Sequence, residues 1–326
     1  VTRISFLFRT DVHVADKNPI SWKGDYRSEI LDDLVQIGQL ADLHQVEAVL
    51  DGGDFFHVKT AVRTSHGLVI DVLKIHRDHY KKSVYGIEGN HDIFGNNLET
   101  IDSQPLGVLY NTLAFRNLRN EVFEKDGLRI RVVGFPYSPT RTLREIQAVR
   151  KQPGDDYMVA VIHALAGKDP PAHVEEFYGE PVFRYDSLIY EGGPDVFCFG
   201  HWHKDQGVVC LEGRHFVNQG AVSRGSLTQD NLSRVPQVAL LEFTPEGIGI
   251  KTIPLKVAAP EEVYDLERKG RQEKVSLVIS QFIDQLQQGL VVDSDQDIED
   301  SIRNIPNVAP DVQARALAYL ETARTS

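Results

Sequence analysis

The chain has 326 residues, a net charge of −12, 41% hydrophobic and 25% charged residues, so it can bury a sizeable core and is not a disordered chain. The acidic balance argues against a surface dominated by a basic nucleic-acid stripe, although divalent ions bound in one cleft would invert the local sign. No apolar run approaches a membrane span, and two cysteines, Cys198 and Cys210, are too few for a disulfide scaffold; both read as core thiols of a reduced, cytoplasmic protein.

In chain order, "VTRISFLFRTDVH" reads as a first strand and not a signal peptide, because no small-residue cleavage site comes after its apolar run. "DYRSEILDDLVQIGQLADLHQ" places Ile30, Leu34, Ile37 and Ala41 on one helical face. "VEAVL" comes next as a strand, then a helix over about residues 62–80, then "SVYGI". "LRIRVVGF", "YMVAVI", "DVFCF" and "QVALLEF" are further short runs rich in Val, Ile and Phe, as buried strands are. Early βαβ alternation gives way to strand-dense sequence after about residue 110. The expected class is α/β, with a mixed sheet or two sheets packed face to face and helices outside. Near Lys256 the sequence turns helical and acidic. This divides the chain into a first domain, 1–255, and a helical C-terminal region, 256–326, with an apolar stripe at Val275, Ile279, Phe282, Leu286 and Leu290.

The residues just beyond the strands are more informative than the strands themselves. "ISFLFRT" leads to Asp11 and His13, "VEAVLDG" to Asp54, "SVYGIE" to Gly89-Asn90-His91-Asp92, "MVAVI" to His163, and "DVFCF" to His201 and His203. In α/β sheets, ligands bind at the carboxyl ends of strands. His201 and His203 are two apart, and strand residues two apart share a face, so the pair should aim at one point. Asp, Asn and His suit Mn²⁺, Fe²⁺ or Zn²⁺ better than Ca²⁺, and the absence of cysteine from the set excludes a structural zinc site. Asp11, His13, Asp54, Asn90, His163, His201 and His203 are too many ligands for one tetrahedral ion. They suit two ions about 3.5–4 Å apart that share a carboxylate, the arrangement that clamps an in-line displacement at phosphorus.

In these residues the chain resembles the calcineurin-like metallophosphoesterases, whose order D-x-H, G-D, G-N-H-D, H, G-H-x-H it follows over about residues 5–220. The resemblance implies a two-sheet β-sandwich flanked by helices. It implies Asp11, His13 and His203 on one ion, Asn90, His163 and His201 on the other, and Asp54 as the bridge. It also implies catalytic roles for His91, as donor of a proton to the leaving oxygen, and for Asp92, as the group orienting His91.

"GDFFH" is similar to the G-D-L-F-H of the SbcD-type DNA repair nucleases, relatives of the meiotic recombination eleven nuclease, and implies that His57 faces the substrate phosphate. "VNQGAVSRGSL" is similar to their N-P-G-S-x-x-R segment, with Gln219 in place of the proline and Ala221 in place of the serine. That resemblance implies an exonuclease or endonuclease of DNA repair or recombination, dependent on two divalent ions, most naturally Mn²⁺. Its partners would be DNA, a second copy of the chain and an SMC-like coiled-coil ATPase of the SbcC type, with no membrane. The chain has no Walker loop, so ATP hydrolysis would fall to that partner. The C-terminal region would be a reduced cap or a partner-docking element, as in compact phage-type members. A phosphodiesterase for nucleotides or other small diesters would use the same centre. A catalytically weak DNA-end-binding subunit is the third reading, and the complete motif set counts against it.

Outside these motifs, His44, His66, His76, His79, His173 and His215 read as surface or satisfied core. Lys74, Arg77, Lys81 and Lys82 could track a DNA backbone or form a solvated helix face.

Overall fold

The computed structural model describes residues 2–57 and 64–267, with positions 310, 313–315 and 317 beyond them. The chain divides into two compact units, Val1–Tyr264 and Asp265–Ser326. Strands β1 (Ile4–Arg9), β2 (Ala48–Asp51), β3 (Val84–Gly86), β4 (Phe115–Asn117), β5 (Asn120–Lys125), β6 (Leu128–Phe135) and β7 (Tyr157–His163) come first. They are followed by β8 (Ala166–Gly167), β9 (Phe183–Arg184), β10 (Val196–Gly200), β11 (Gly207–Leu211), β12 (Arg214–Asn218), β13 (Gln237–Thr244) and β14 (Gly247–Pro254). One six-stranded sheet runs β14-β13-β1-β2-β3-β4 and a second β11-β12-β10-β7-β6-β5, and both are mixed.

The period of two in the strands builds the layers. In β1, Ile4, Phe6 and Phe8 join Val159, Val161, Cys198, Val217 and Leu241 in a core between the sheets, while Leu7 faces a second core. In β7, Val159 and Val161 face inward, and Met158, Ala160 and Ile162 face a third core on the outer side of their sheet. A strand apolar on both faces has to lie between two layers, which is why these runs show no polar alternation. Over the first sheet lie α1 (Tyr26–Leu43) and α2 (His66–His79), closing the second core with Ile30, Leu34, Ile37, Ala41, Leu68 and Val72. The expected architecture is therefore present: two mixed sheets face to face, flanked by helices.

α1 starts where Asp25 accepts the Ser28 N–H at 3.1 Å, and α2 where Ser65 Oγ accepts the Leu68 N–H at 3.1 Å. The second cap places the start of α2 at His66. Residues 256–264, assigned by composition to the C-terminal region, pack with the first unit. Val263 and Tyr264 are buried, the Lys23 N–H donates to Val263 O at 2.8 Å, and the rings of Trp22 and Tyr264 meet edge to face at 5.2 Å. The stripe at Val275, Ile279, Phe282, Leu286 and Leu290 lies outside the described residues. Among the described residues no helix is long and apolar enough to cross a membrane.

One expectation changes. Cys198 is buried in β10, but Cys210 is exposed on β11, with β12 between the two strands. The cationic side chains of the α2 region are matched by carboxylates: Lys74 to Asp71 at 3.5 Å, Arg77 to Asp78 at 2.6 Å, Lys81 to Asp42 at 2.6 Å and Lys82 to Glu47 at 3.8 Å. Two of these acids are shared, Asp71 with Arg27 at 2.8 Å and Glu47 with Lys125 at 2.9 Å.

Candidate metal centre

The metal-capable residues come from both sheets. β1, β2 and β3 deliver Asp11, His13, Asp54 and Asn90 from the first sheet, and β7 and β10 deliver His163, His201 and His203 from the second. Their common edge is the floor of the site. Asp11, His13, Asp54 and His201 all have positive φ, at 52°, 50°, 53° and 91°. For residues with a Cβ this conformation costs on the order of 1–3 kcal/mol each and persists only where the surroundings over-determine it. Here they do. The Asp11 N–H donates to Gly53 O and the His13 N–H to Asp54 O, both at 3.0 Å, and the His201 N–H donates to the Asp11 carboxylate at 3.1 Å. Each strained loop is thereby tied to the next.

The result is two adjoining clusters that share one carboxylate. Asp11, His13, Asp54 and His203 bring ligand atoms within 4.8 Å of one another, and so do Asp54, His163 and His201. In the first, His13 Nε2 lies 3.0 Å from His203 Nε2 and 3.8 Å from Asp54 Oδ2, and His203 Nε2 lies 3.6 Å from Asp11 Oδ1. In the second, His163 Nε2 lies 3.5 Å from Asp54 Oδ1 and 3.3 Å from Asn90 Oδ1. All seven predicted ligands are thus brought together. His201 and His203 are both here, but not because they share a strand face: β10 ends at Gly200, and the turn after it sends one imidazole to each cluster.

Neighbouring groups orient the ligands. The His163 Nδ1–H donates to Gly52 O at 2.7 Å, which leaves Nε2 for the centre. Thr10 Oγ1 donates to Asp11 Oδ2 at 2.7 Å. His13 Nδ1 meets His57 Nδ1 at 3.4 Å while its Nε2 faces the cluster. The His201 Nε2–H faces Glu180 Oε2 at 3.1 Å, and the Tyr137 hydroxyl donates to Glu180 Oε1 at 2.5 Å. Sequence reasoning missed Glu180 and Tyr137. Neither stands in a recognisable motif, and only the fold brings them to the centre.

Charge follows burial and proximity. Burial and then the His203 imidazole hold His13 well below the usual histidine pKa. Burial would raise Asp54, but the imidazoles of His163, His13 and His91 hold its carboxyl well below the usual range. Burial opposes protonation of His163, yet the Asp54 carboxylate raises its pKa to about 9. An ion at this position would displace that proton, since a ligating imidazole must be neutral.

His57 and His91 sit at the mouth. Their rings stack at 5.4 Å with an 18° interplanar angle, and with His13 they form a third group of convergent nitrogens. The His91 Nδ1–H donates to His57 O at 2.6 Å. Here the expectation for Asp92 is corrected, because a main-chain carbonyl and not its carboxylate holds the His91 imidazole. Asp92 is buried and accepts three backbone N–H groups, from Phe55 at 3.2 Å, Phe56 at 3.0 Å and Gly89 at 2.9 Å, so it fastens the Asp54 loop to the Asn90 turn. Burial and then the Asp54 charge push its pKa well above the usual range. The segment around Gln219 and Ala221 fastens a third loop: the N–H groups of Ala221, Val222 and Ser223 donate to His203 O, Thr10 O and Asp11 O.

Glycine is required where the backbone passes the bridge. A Cβ on Gly89 would fall on the carboxylate and backbone nitrogen of Asp54, and one on Gly53 would come within 2.7 Å of His163 Nδ1. Two carboxylates, four imidazoles and an amide, largely buried and converging on two adjoining spaces, are the donor set that two divalent ions of intermediate hardness require. The residues fit such a pair. Asp11, His13 and His203 would hold one ion, Asn90, His163 and His201 the other, with Asp54 between them. Bound there, the ions would supply Lewis-acid polarisation of a phosphoryl oxygen and activation of water.

A family model described as calcineurin-like phosphoesterase matches residues 4–205. The sequence matches none of the curated proteins with which it was compared. Among solved structures it is similar to TT1561 of Thermus thermophilus, at 12% identity and a TM-score of 0.45, covering 78% of this chain and 100% of that one. It is also similar to the purple acid phosphatase PPD1 from yellow lupin (Lupinus luteus) seeds, at 12% identity and a TM-score of 0.48, covering 78% of this chain and 52% of that one. A family match of that extent, over the segment that carries every ligand of the paired clusters, makes this chain a member of the calcineurin-like phosphoesterases, phosphoester hydrolases built around a dinuclear divalent metal centre.

Proposed function

We propose that the chain is a DNA nuclease of the SbcD type, acting with two Mn²⁺ ions on DNA in repair or recombination. The observation that carries this reading is His57. The fourth residue of "DFFH" stands at the mouth of the centre, stacked on His91 and against His13, where a phosphodiester entering the site would meet it. The His91 Nδ1 is committed to His57 O, which leaves Nε2 to serve the substrate. As water attacks phosphorus it releases a proton to solvent, the bond to the leaving oxygen breaks, and that oxygen takes a proton from His91, which solvent then reprotonates. His57 binds a non-bridging phosphate oxygen and holds His91 through its own carbonyl. Asp54, Asp11 and Asn90 would help hold the ions that neutralise the phosphate. A homodimer and an SMC-like coiled-coil ATPase belong to the same proposal. The test is to incubate the protein with labelled single- and double-stranded DNA, with Mn²⁺ or with excess EDTA, beside a small chromogenic phosphodiester. Manganese-dependent DNA cleavage that EDTA abolishes is the expected result. Hydrolysis of the small diester with intact DNA would favour a phosphodiesterase of small substrates, and full DNA cleavage in EDTA would overturn the metal mechanism.

A further inference from the structure

Glu180 lies outside every motif of the chain, yet its two carboxylate oxygens have separate partners at the centre. Oε2 is 3.1 Å from His201 Nε2, and Oε1 accepts the Tyr137 hydroxyl at 2.5 Å. Its side chain is only 19% exposed. The main chain around it has little freedom. Helix α5, preceded by α3 (Pro105–Asn111) and α4 (Leu143–Gln147), spans Ala172–Tyr178 and is capped by Gly179 in the left-handed conformation, φ 66°. Pro181 comes next, and a residue before proline is held to extended conformations. Tyr137 is equally fixed: it is buried, its N–H donates to Glu88 O at 2.8 Å, and its ring packs against His163 and His201 at 6.1 and 5.5 Å.

We propose that Glu180 is the positioning residue of His201, a carboxylate that takes the Nε2–H of that imidazole, itself held in place by Tyr137, and so commits Nδ1 to the ion. A neutral imidazole has one N–H and one lone pair, and the partner of the first decides where the second is offered. His163, in the same cluster, is set the other way, because Gly52 O takes its Nδ1–H and leaves Nε2. The two histidines of one cluster therefore present opposite nitrogens, one fixed by a backbone carbonyl and the other by a carboxylate from a separate loop. The carboxylate also adds negative charge behind the ligand, which raises the basicity of the nitrogen facing the ion.

The test uses the full chain and ion binding as the readout. Calorimetric titration of the ion-free protein with Mn²⁺ should show two ions per chain for the wild type. In Glu180→Ala one of the two should bind about 10–100-fold more weakly, the range seen when such supporting partners are removed, with the other unchanged. Glu180→Gln, which keeps an oxygen acceptor but no charge, should lose less, and Tyr137→Phe should lose in the same direction. In the Zn²⁺-loaded wild type, imidazole ¹⁵N spectra should show the ring proton of His201 on Nε2 and that of His163 on Nδ1. Wild-type affinity for both ions in Glu180→Ala, with only the melting temperature of the ion-free protein lowered, would reduce Glu180 to a packing role and overturn the proposal. A His201 ring proton on Nδ1 would overturn it independently.

Discussion

The backbone N–H of His91 donates to Oδ1 of Asp54 at 2.7 Å. The same oxygen lies 3.5 Å from His163 Nε2, while Oδ2 of that carboxylate lies 3.8 Å from His13 Nε2. One side chain thus reaches both ligand clusters and holds the turn that carries His91. Chemistry and binding are joined at this residue.

Asp54→Ala should therefore do more damage than loss of a ligand to one cluster, such as His203→Ala. Elemental analysis should find neither ion retained in Asp54→Ala and one retained in His203→Ala. Retention of two ions by Asp54→Ala would show that the bridge lies elsewhere.

His91→Asn should keep both ions and the fold but lose about 10²–10⁴-fold in single-turnover cleavage, the contribution of a positioned general acid. Loss of an ion would make His91 a ligand, and an unchanged rate would remove it from the mechanism. Asp92→Asn should behave differently. Its carboxylate accepts three N–H groups, from Phe55, Phe56 and Gly89, and an amide would set a donor against at least one of them. Leaving a buried donor unmatched costs about 1–3 kcal/mol. The expected outcome is a lower melting temperature and weaker ion binding with an unshifted pH–rate profile.

Gly89→Ala should abolish ion binding while leaving secondary structure in place, because the added methyl would occupy the space of the Asp54 carboxylate. Circular dichroism and ion content measured on one sample would check both halves. Full ion occupancy would mean that the turn moves aside at no cost.

Arg9, Asp51, His76 and Tyr80 form a buried polar node under α2. Arg9 pairs with Asp51 at 2.7 Å and reaches Tyr80 Oη at 2.7 Å and His76 Nε2 at 3.3 Å, and the His76 Nδ1–H donates to Val72 O at 2.8 Å. Burial and then the Arg9 charge lower the pKa of His76 from 6.5 to about 3. Its folded-state pKa lies below its unfolded value, so below pH 6.5 the unfolded chain takes up a proton that the folded chain refuses. The stability contribution is intact above that pH and lost progressively as pH falls toward 3, at up to roughly 1.4 kcal/mol per pH unit. Urea unfolding between pH 7 and 4 should show a shallower decline in His76→Gln than in the wild type. Parallel curves would exclude His76 from the acid response.

Much of the centre could be read from residue order, because two local properties record it. Strand periodicity marks where each apolar run ends, and the residue types just beyond are ion ligands whatever the rest of the chain does. Asp11, His13, Asp54, Asn90, His163, His201 and His203 are legible in that way, and the face of α1 at Ile30, Leu34, Ile37 and Ala41 is legible in the helical spacing. His201 and His203 show the limit of such reasoning: strand alternation sends them to one point, but the strand has already ended at Gly200, and a positive φ at His201 splits them.

Tertiary structure decided the rest. It placed three ligand-bearing strands in one sheet and two in the other, replaced Asp92 by His57 O as the partner of the His91 imidazole, and brought Glu180 and Tyr137 to His201. It also paired cationic residues of the α2 region with acids as distant in sequence as Asp42 and Glu47. A hydrogen-bond partner is chosen by which atoms the packed layers bring within about 3 Å of each other. That depends on strand order, register and the path of loops between sheets, and none of these leaves a repeating mark in the residues along a single strand or helix.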